Sequence, residues 1–223
     1  MAIRLHSYTA TRFNATPGLP DALQRHQEAG GNDWVHNMFR PLFRRHGVEK
    51  ILGIGVRVFR LLHHHFPLED DEFLTEVRGT STAWKSQRGT RPHVWALGAE
   101  EGSLTPLGFA MDDDQDFLTY PDWESKQLQQ FIRELSELIM NLNVDGVYGL
   151  VRYPGDDFPG RVEMTVGRAN VNSTPAQAAK HDPAYQSEAA WYFTEGFRKR
   201  GCSCNCFHHG TSNSTIGHVV VVQ

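Results

Sequence analysis

No apolar run in this chain approaches the roughly 20 residues needed to cross a bilayer as a helix. Its opening, MAIRLHSYTATRF, lacks the apolar core of a secretory leader. Cysteine is scarce: Cys202, Cys204 and Cys206 are the whole complement, and they fall within five residues. An odd count gathered in one place is not a disulfide framework. The expectation is a reduced, cytoplasmic protein with no membrane partner. Internal repeats and low-complexity tracts are also missing. So are the G-x-S-x-G elbow, the Walker loop, H-E-x-x-H and the paired C-x2-C of structural zinc. Gly53-Ile54-Gly55 has no third glycine and sits within an apolar run, which argues against a dinucleotide-binding loop.

Charge is present but unevenly spread. The formal net charge of −4 combines a basic first quarter with an acidic middle. Residues 1–60 hold nine Lys/Arg against four Asp/Glu, and residues 61–145 hold six against sixteen. The early arginines (Arg4, Arg12, Arg25, Arg40, Arg44, Arg45) are scattered rather than packed into one run, so no nucleic-acid partner is expected. The acidic groups Glu69 to Glu72 and Asp112 to Asp114 read as solvated loops.

At 223 residues, with 39% hydrophobic content, the chain can bury a substantial core as one globular domain, 1–223. The pattern predicts an extended segment from Ile3 to Phe13 and a short helix ending at Gly30-Gly31. A second helix should be capped by Asn32, kinked or split by Pro41 and ended by Gly47. Residues 51–66 are too continuously apolar for a solvent-facing strand and predict one buried on both faces. Further strands are expected at 72–78, 92–97, 104–110, 147–153 and 161–171, with a last one at Val219 to Val222. Between them, Leu128, Phe131, Ile132, Leu135, Leu138, Ile139 and Leu142 recur at helical spacing. This stripe predicts one long helix over 123–142, started by Pro121-Asp122 and ended by Asn143 and Gly146. The resulting fold class is α+β: a mainly antiparallel sheet packed by one long helix and shorter N-terminal helices.

Two segments, LLHHHFPLEDDEFL and EMTVGRANVN, resemble a set of uncharacterised fungal proteins that share an LLHxHF segment and a downstream GRAN segment. The resemblance spans residues 30–172. Where the set often has Arg in the middle of the first segment, this chain has His64. The set lends no assigned activity. It implies a cytoplasmic protein and draws attention to His63 and His65 ahead of His64.

Six of the twelve histidines and all three cysteines fall into two clusters. On a strand, His63 and His65 share a face, and two imidazoles at i and i+2 suit a strand-borne zinc or iron site. Glu69 follows in partial imitation of H-x-H-x3-E, but Pro67 interrupts and no second motif exists. The second cluster is Cys202, Cys204, Cys206, His208, His209 and His218. In an extended chain its first four alternate members would span about 20 Å, so no single ion reaches all of them. A metal site there needs a loop, or two of these groups plus ligands from elsewhere. The alternatives are a reactive thiol beside Arg198, Lys199 and Arg200, or ordinary packed thiols and hydrogen-bonded histidines. Arg168 and Asn170 alternate onto one face and suit a carboxylate or polar ligand. His93 can line a pocket or fill the sheet.

Two functions follow. One is a small metal-dependent enzyme for a small organic substrate, with zinc or iron as cofactor. The other is a non-catalytic ligand-binding or interaction domain with structural histidines and no cofactor.

Overall fold

The computed structural model describes residues 2–17, 19–56, 72–77, 80–85, 89–98, 100–111, 119–156, 162–166, 169–173, 188–194, 202–207 and 217–222. Helices and a mixed sheet make it α+β.

The N-terminal region contains more helix than its sequence suggests. Only β1 (Arg4–Leu5) of the expected extended segment is strand, and α1 (Ala10–Asn14) follows it. Thr9 caps α1 by accepting a hydrogen bond from the Arg12 amide, which satisfies one of the free N–H groups at a helix start. Ala10 and Phe13, three apart and so on one helical face, are both buried. Local capping and burial thus override the strand-like pattern.

Helix α2 (Leu19–Glu28) leads to a continuous run: α3 (Gly31–Trp34), a π-helical turn (Val35–Phe39) and α4 (Arg40–Arg45). The cap is Gly30, at φ 110°, rather than Asn32. Pro41 does not break this run, because the Arg40 amide bonds back five residues to Val35. The wide turn accommodates the ring and missing N–H that an ordinary α-helix rejects. Gly47, at φ 59°, then closes α4: its amide bonds to the Arg44 carbonyl and that of Val48 to the Phe43 carbonyl.

Helix α5 (Lys126–Asn141) has the same kind of ending with a different residue. Asn143 adopts φ 56°, its amide reaches the Met140 carbonyl, and the Val144 amide reaches that of Ile139. Its start lies later than Pro121-Asp122. Ser125 is the N-cap and accepts from the Leu128 amide, while Asp122 forms a turn by accepting from the Glu124 amide. Leu128, Phe131, Ile132, Leu135 and Ile139 are buried, and Leu138 and Leu142 are partly buried against the same core.

The remaining strands are β2 (Leu52–Val56), β3 (Glu72–Val77), β4 (Thr80–Lys85), β5 (Thr90–Leu97), β6 (Ser103–Met111), β7 (Tyr148–Arg152), β8 (Val162–Val166), β9 (Ala169–Ser173), β10 (Glu188–Tyr192), β11 (Cys202–Phe207) and β12 (Gly217–Val222). The predicted strand 161–171 is therefore two strands, β8 and β9, paired as an antiparallel hairpin. Among the described residues the sheet order is β1-β6-β3-β4-β9-β8-β12-β11-β10-β2-β7-β5, and β5 also pairs with β6. The order therefore returns on itself, with eleven strands forming a ring and β1 appended beside β6.

Parity supports this reading. A closed ring of purely antiparallel neighbours needs an even number of strands, so eleven requires an odd number of parallel joins. The β3–β6 ladder is that join, and among the described residues the only other parallel ladder is the appended β1–β6 pair. Such a ring is wider than an eight-stranded barrel, whose interior side chains fill.

Helices α2, α4 and α5 share one core with β2, β5, β7 and β10 through Leu52, Ile54, Trp95, Tyr148, Leu150 and Trp191. Three helices, each about 10–12 Å across, are together too bulky for the inside of such a ring, so this face is its exterior. The opposite face carries a smaller cluster in which Val94, Ala96 and Leu107 meet Ala10 and Phe13 of α1. Among the described residues, no helix is long and apolar enough to cross a membrane.

Candidate functional site

At one end of the ring, the turn from β5 to β6 meets β1 and α1, and the four enclose a cleft of about 400 Å³. Backbone pairing holds the N-terminal segment there: the Arg4 amide donates to the Gly102 carbonyl and the His6 amide to that of Leu104. This fixes His6 on one wall. Ser103 and Thr105, both buried, alternate onto the cleft from the adjoining strand β6. Arg12 reaches in from α1, and its Nη1 donates to Thr105 Oγ1 at 2.8 Å. Glu100 stands at the rim, 3.1 Å from Arg4 in an exposed ion pair. Ala96 and Leu107 supply an apolar floor, and Ala15 lies exposed at the rim.

Gly98 is what allows the turn to be this tight. Its amide donates to the Ser103 carbonyl at 2.8 Å, and a Cβ there would meet Ser103 Oγ at 2.5 Å. Any larger residue would push the serine side chain out of place. Nothing in the residue pattern singled out this cleft, because its walls come from residues 6–15 and 96–107, which are distant in sequence. The closest available signal was the alternation Ser103, Thr105, Leu107, which places two hydroxyls on one strand face.

The expected site residues are distributed differently. His63, His65, His208, His209 and Arg168 lie outside the described residues. Cys202, Cys204 and Cys206 occupy alternate positions of β11, and β12 pairs with that strand so that Cys206 stands opposite His218. His218 is in turn opposite Glu163 of β8, and Glu163 opposite Asn172 of β9. Directly opposed residues on neighbouring strands occupy one face of a sheet. Asn170 is in β9, opposite Thr165 of β8 and Ser81 of β4. Among the described residues, no group of three His, Cys, Asp or Glu side chains is gathered closely enough to hold a metal ion.

His93 lies in β5 where the β5–β6 register shifts between Pro92 and Val94. Such a bulge lets one extra residue leave the regular alternation. His93 is buried, and burial, followed by the charge of Arg152, pushes its pKa down to about 3. The ring is therefore neutral at physiological pH. Arg152 is itself buried: its Nε donates to the Thr119 carbonyl and its guanidinium lies 5.2 Å from the Tyr120 ring centroid. Neither residue lines the cleft, so His93 belongs to the packed sheet rather than to this pocket.

A second buried histidine, His26, hydrogen-bonds Tyr148 Oη at 2.8 Å and stacks on Trp191, tying α2 to β7 and β10. His46 meets Glu134 at 3.1 Å, and hydrogen bonds from His46, then Gln130, hold that carboxylate's pKa at about 2. Both arrangements fasten helices in place.

The chain matches no known family model, no curated protein and no solved structure.

Proposed function

We propose that this chain is a single-domain small-molecule-binding protein whose ligand occupies the cleft at the end of the ring. One observation supports this reading. About 400 Å³ of space is lined by the polar side chains of His6, Arg12, Ser103 and Thr105 together with the apolar ones of Ala15, Ala96 and Leu107. A few convergent polar groups over an apolar floor, at the mouth of a closed sheet, are the usual composition of a small-ligand site. The test is a fragment screen followed by amide chemical-shift mapping. Binders should perturb His6, Arg12, Ser103 and Thr105. Ala15→Phe, at an exposed rim position, should abolish those shifts while leaving the fold intact. Fragments that bind only elsewhere, or bind the blocked variant equally well, would defeat the proposal.

A metal-dependent enzyme is the second reading. It is supported by the β11–β12 and β12–β8 registers, in which Cys206 pairs with His218 and His218 with Glu163. These are residue types that bind zinc, with iron as the alternative, and an ion there would need ligands brought closer together than the described residues hold them. Stoichiometric metal that survives dialysis, and is lost in His218→Ala and Cys206→Ser, would favour this reading. Metal-free protein whose thermal stability ignores chelator would remove it.

A further inference from the structure

We infer that the ligand taken by the cleft is a small organic carboxylate, its acid group held by Arg12 and its hydrocarbon part lying on the apolar floor; this rests on the cleft being a binding site. Arg12 carries the argument. Its guanidinium offers five N–H donors in a rigid plane, and one of them, on Nη1, is used on Thr105 Oγ1. That bond leaves the remaining donors in a defined orientation. Among the described residues Arg12 has no carboxylate partner, whereas its neighbour Arg4 is already paired with Glu100. A cation aimed into a cleft without its own counter-ion is matched by an incoming anion.

The hydroxyls add to this. Thr105 Oγ1 accepts from Arg12 and so keeps its own proton free to donate. Ser103 Oγ, held over Gly98, has no hydrogen-bond partner among the described residues. Two hydroxyl donors and one planar guanidinium match the two oxygens of a carboxylate.

Two features favour a carboxylate over a phosphate group. Among the described residues Arg12 is the one arginine on the cleft without a carboxylate partner, and Glu100 at the rim is already offset by Arg4. The cleft thus offers one net positive charge, which a dianion would leave half unmatched. A monoanion gains the planar pairing with its charge balanced. Ala15, Ala96 and Leu107 carry no polar side-chain atoms, so whatever follows the acid group is hydrocarbon.

The test compares matched six-carbon probes by calorimetry and amide shifts: hexanoate, hexanamide, hexanol and hexyl phosphate. Hexanoate should bind at least about tenfold more tightly than hexanamide, since a charge-assisted pair replaces a neutral hydrogen bond. Arg12→Gln, which retains N–H donors and removes the charge, should erase that preference, and Arg12→Lys should recover it only in part. If amide and alcohol bind as tightly as the acid while Ala15→Phe blocks all of them, the cleft remains a site and the carboxylate assignment fails. Tighter binding of hexyl phosphate overturns the assignment in the same way. If no probe shifts any cleft residue, both this inference and the binding role are overturned.

Discussion

Over residues 52–56, 148–151 and 94–97 of β2, β7 and β5, the outer face carries Leu52, Ile54, Val56, Tyr148, Leu150, Trp95 and Leu97, and the inner face carries Gly53, Gly55, Gly149, Val151, Val94 and Ala96. The strands are shared, so propensity and position in the sheet are equal for the two faces. Only the parity of the residue differs. Large apolar and aromatic groups go to the helices, where Phe39, Phe43, Phe131 and Phe193 meet them. Small groups go to the ring interior, where the opposing cluster is smaller among the described residues. Burial scales with apolar area, so among these residues the outer layer contributes more stability. Ala96, Ser103, Thr105 and Leu107 of the inner face line the cleft.

The largest expected effect lies on the outer face. Phe131 is fully buried, with its ring 4.7 Å from that of Phe43 in an edge-to-face arrangement. Phe131→Ala should lower unfolding free energy by about 3–5 kcal/mol, combining lost transfer energy with an unfilled cavity. Chemical denaturation measures it directly. Val94→Ala, at a buried inner position, should cost clearly less. Equal losses would mean that the two faces do not divide the work as their residue sizes imply.

How much of this was legible in the residues differs between the layers. The outer layer announces itself through local spacing: Leu128, Phe131, Ile132, Leu135 and Ile139 repeat at helical intervals, and all are buried. The glycines and small residues opposite them have no such signature, because an absent side chain leaves no periodic signal. The ring itself was invisible, since strand order depends on which distant edges pair. The cleft joins residues about 90 positions apart, and no local pattern encodes that. The α+β class is readable from patterning, whereas β8 and β9 read as one strand because their residues form a continuous β-like run in the sequence. Sequence also drew attention to cysteine and histidine, whose chemistry is conspicuous by type. Arg12 was passed over because one arginine in a scattered set carries no mark until Thr105 is seen to hold it.

The next effect concerns acid. His93 is buried and its pKa is held at about 3 by burial and Arg152, against an ordinary 6.5. The unfolded chain therefore takes up a proton below about pH 6.5 that the folded chain refuses until about pH 3. Stability should fall with decreasing pH across that window, by an amount on the order of a few kcal/mol from this group. Glu134, held at about 2, adds a loss that begins lower, as pH drops through the ordinary carboxylate range. Subtracting the two is straightforward: His93→Gln should flatten the slope between about pH 6.5 and 5, above the carboxylate window. Parallel denaturation profiles for the variant and the parent chain would show that His93 is not the group responsible.

The smallest of these effects tests the inner face where it is tightest. Gly53 lies between Leu52 and Ile54 of the outer core, so its missing side chain belongs to the interior. The Tyr192 ring lies over it from the neighbouring strand β10, and a Cβ at this position would also meet the Trp191 carbonyl oxygen at 2.6 Å. Gly53→Ala adds a single methyl group, yet it should destabilise by about 1–3 kcal/mol because the surroundings have to shift. Removing the ring separates the two obstacles. Tyr192→Ala combined with Gly53→Ala should recover part of the loss, since the flexible aromatic contact is gone. Recovery should remain incomplete, because the Trp191 carbonyl is backbone and stays in the ladder. Full recovery would mean that the ring alone requires glycine. No recovery would assign the requirement to the close approach of β10 and β2, and the small residues of the inner face would then reflect strand packing rather than reserved space.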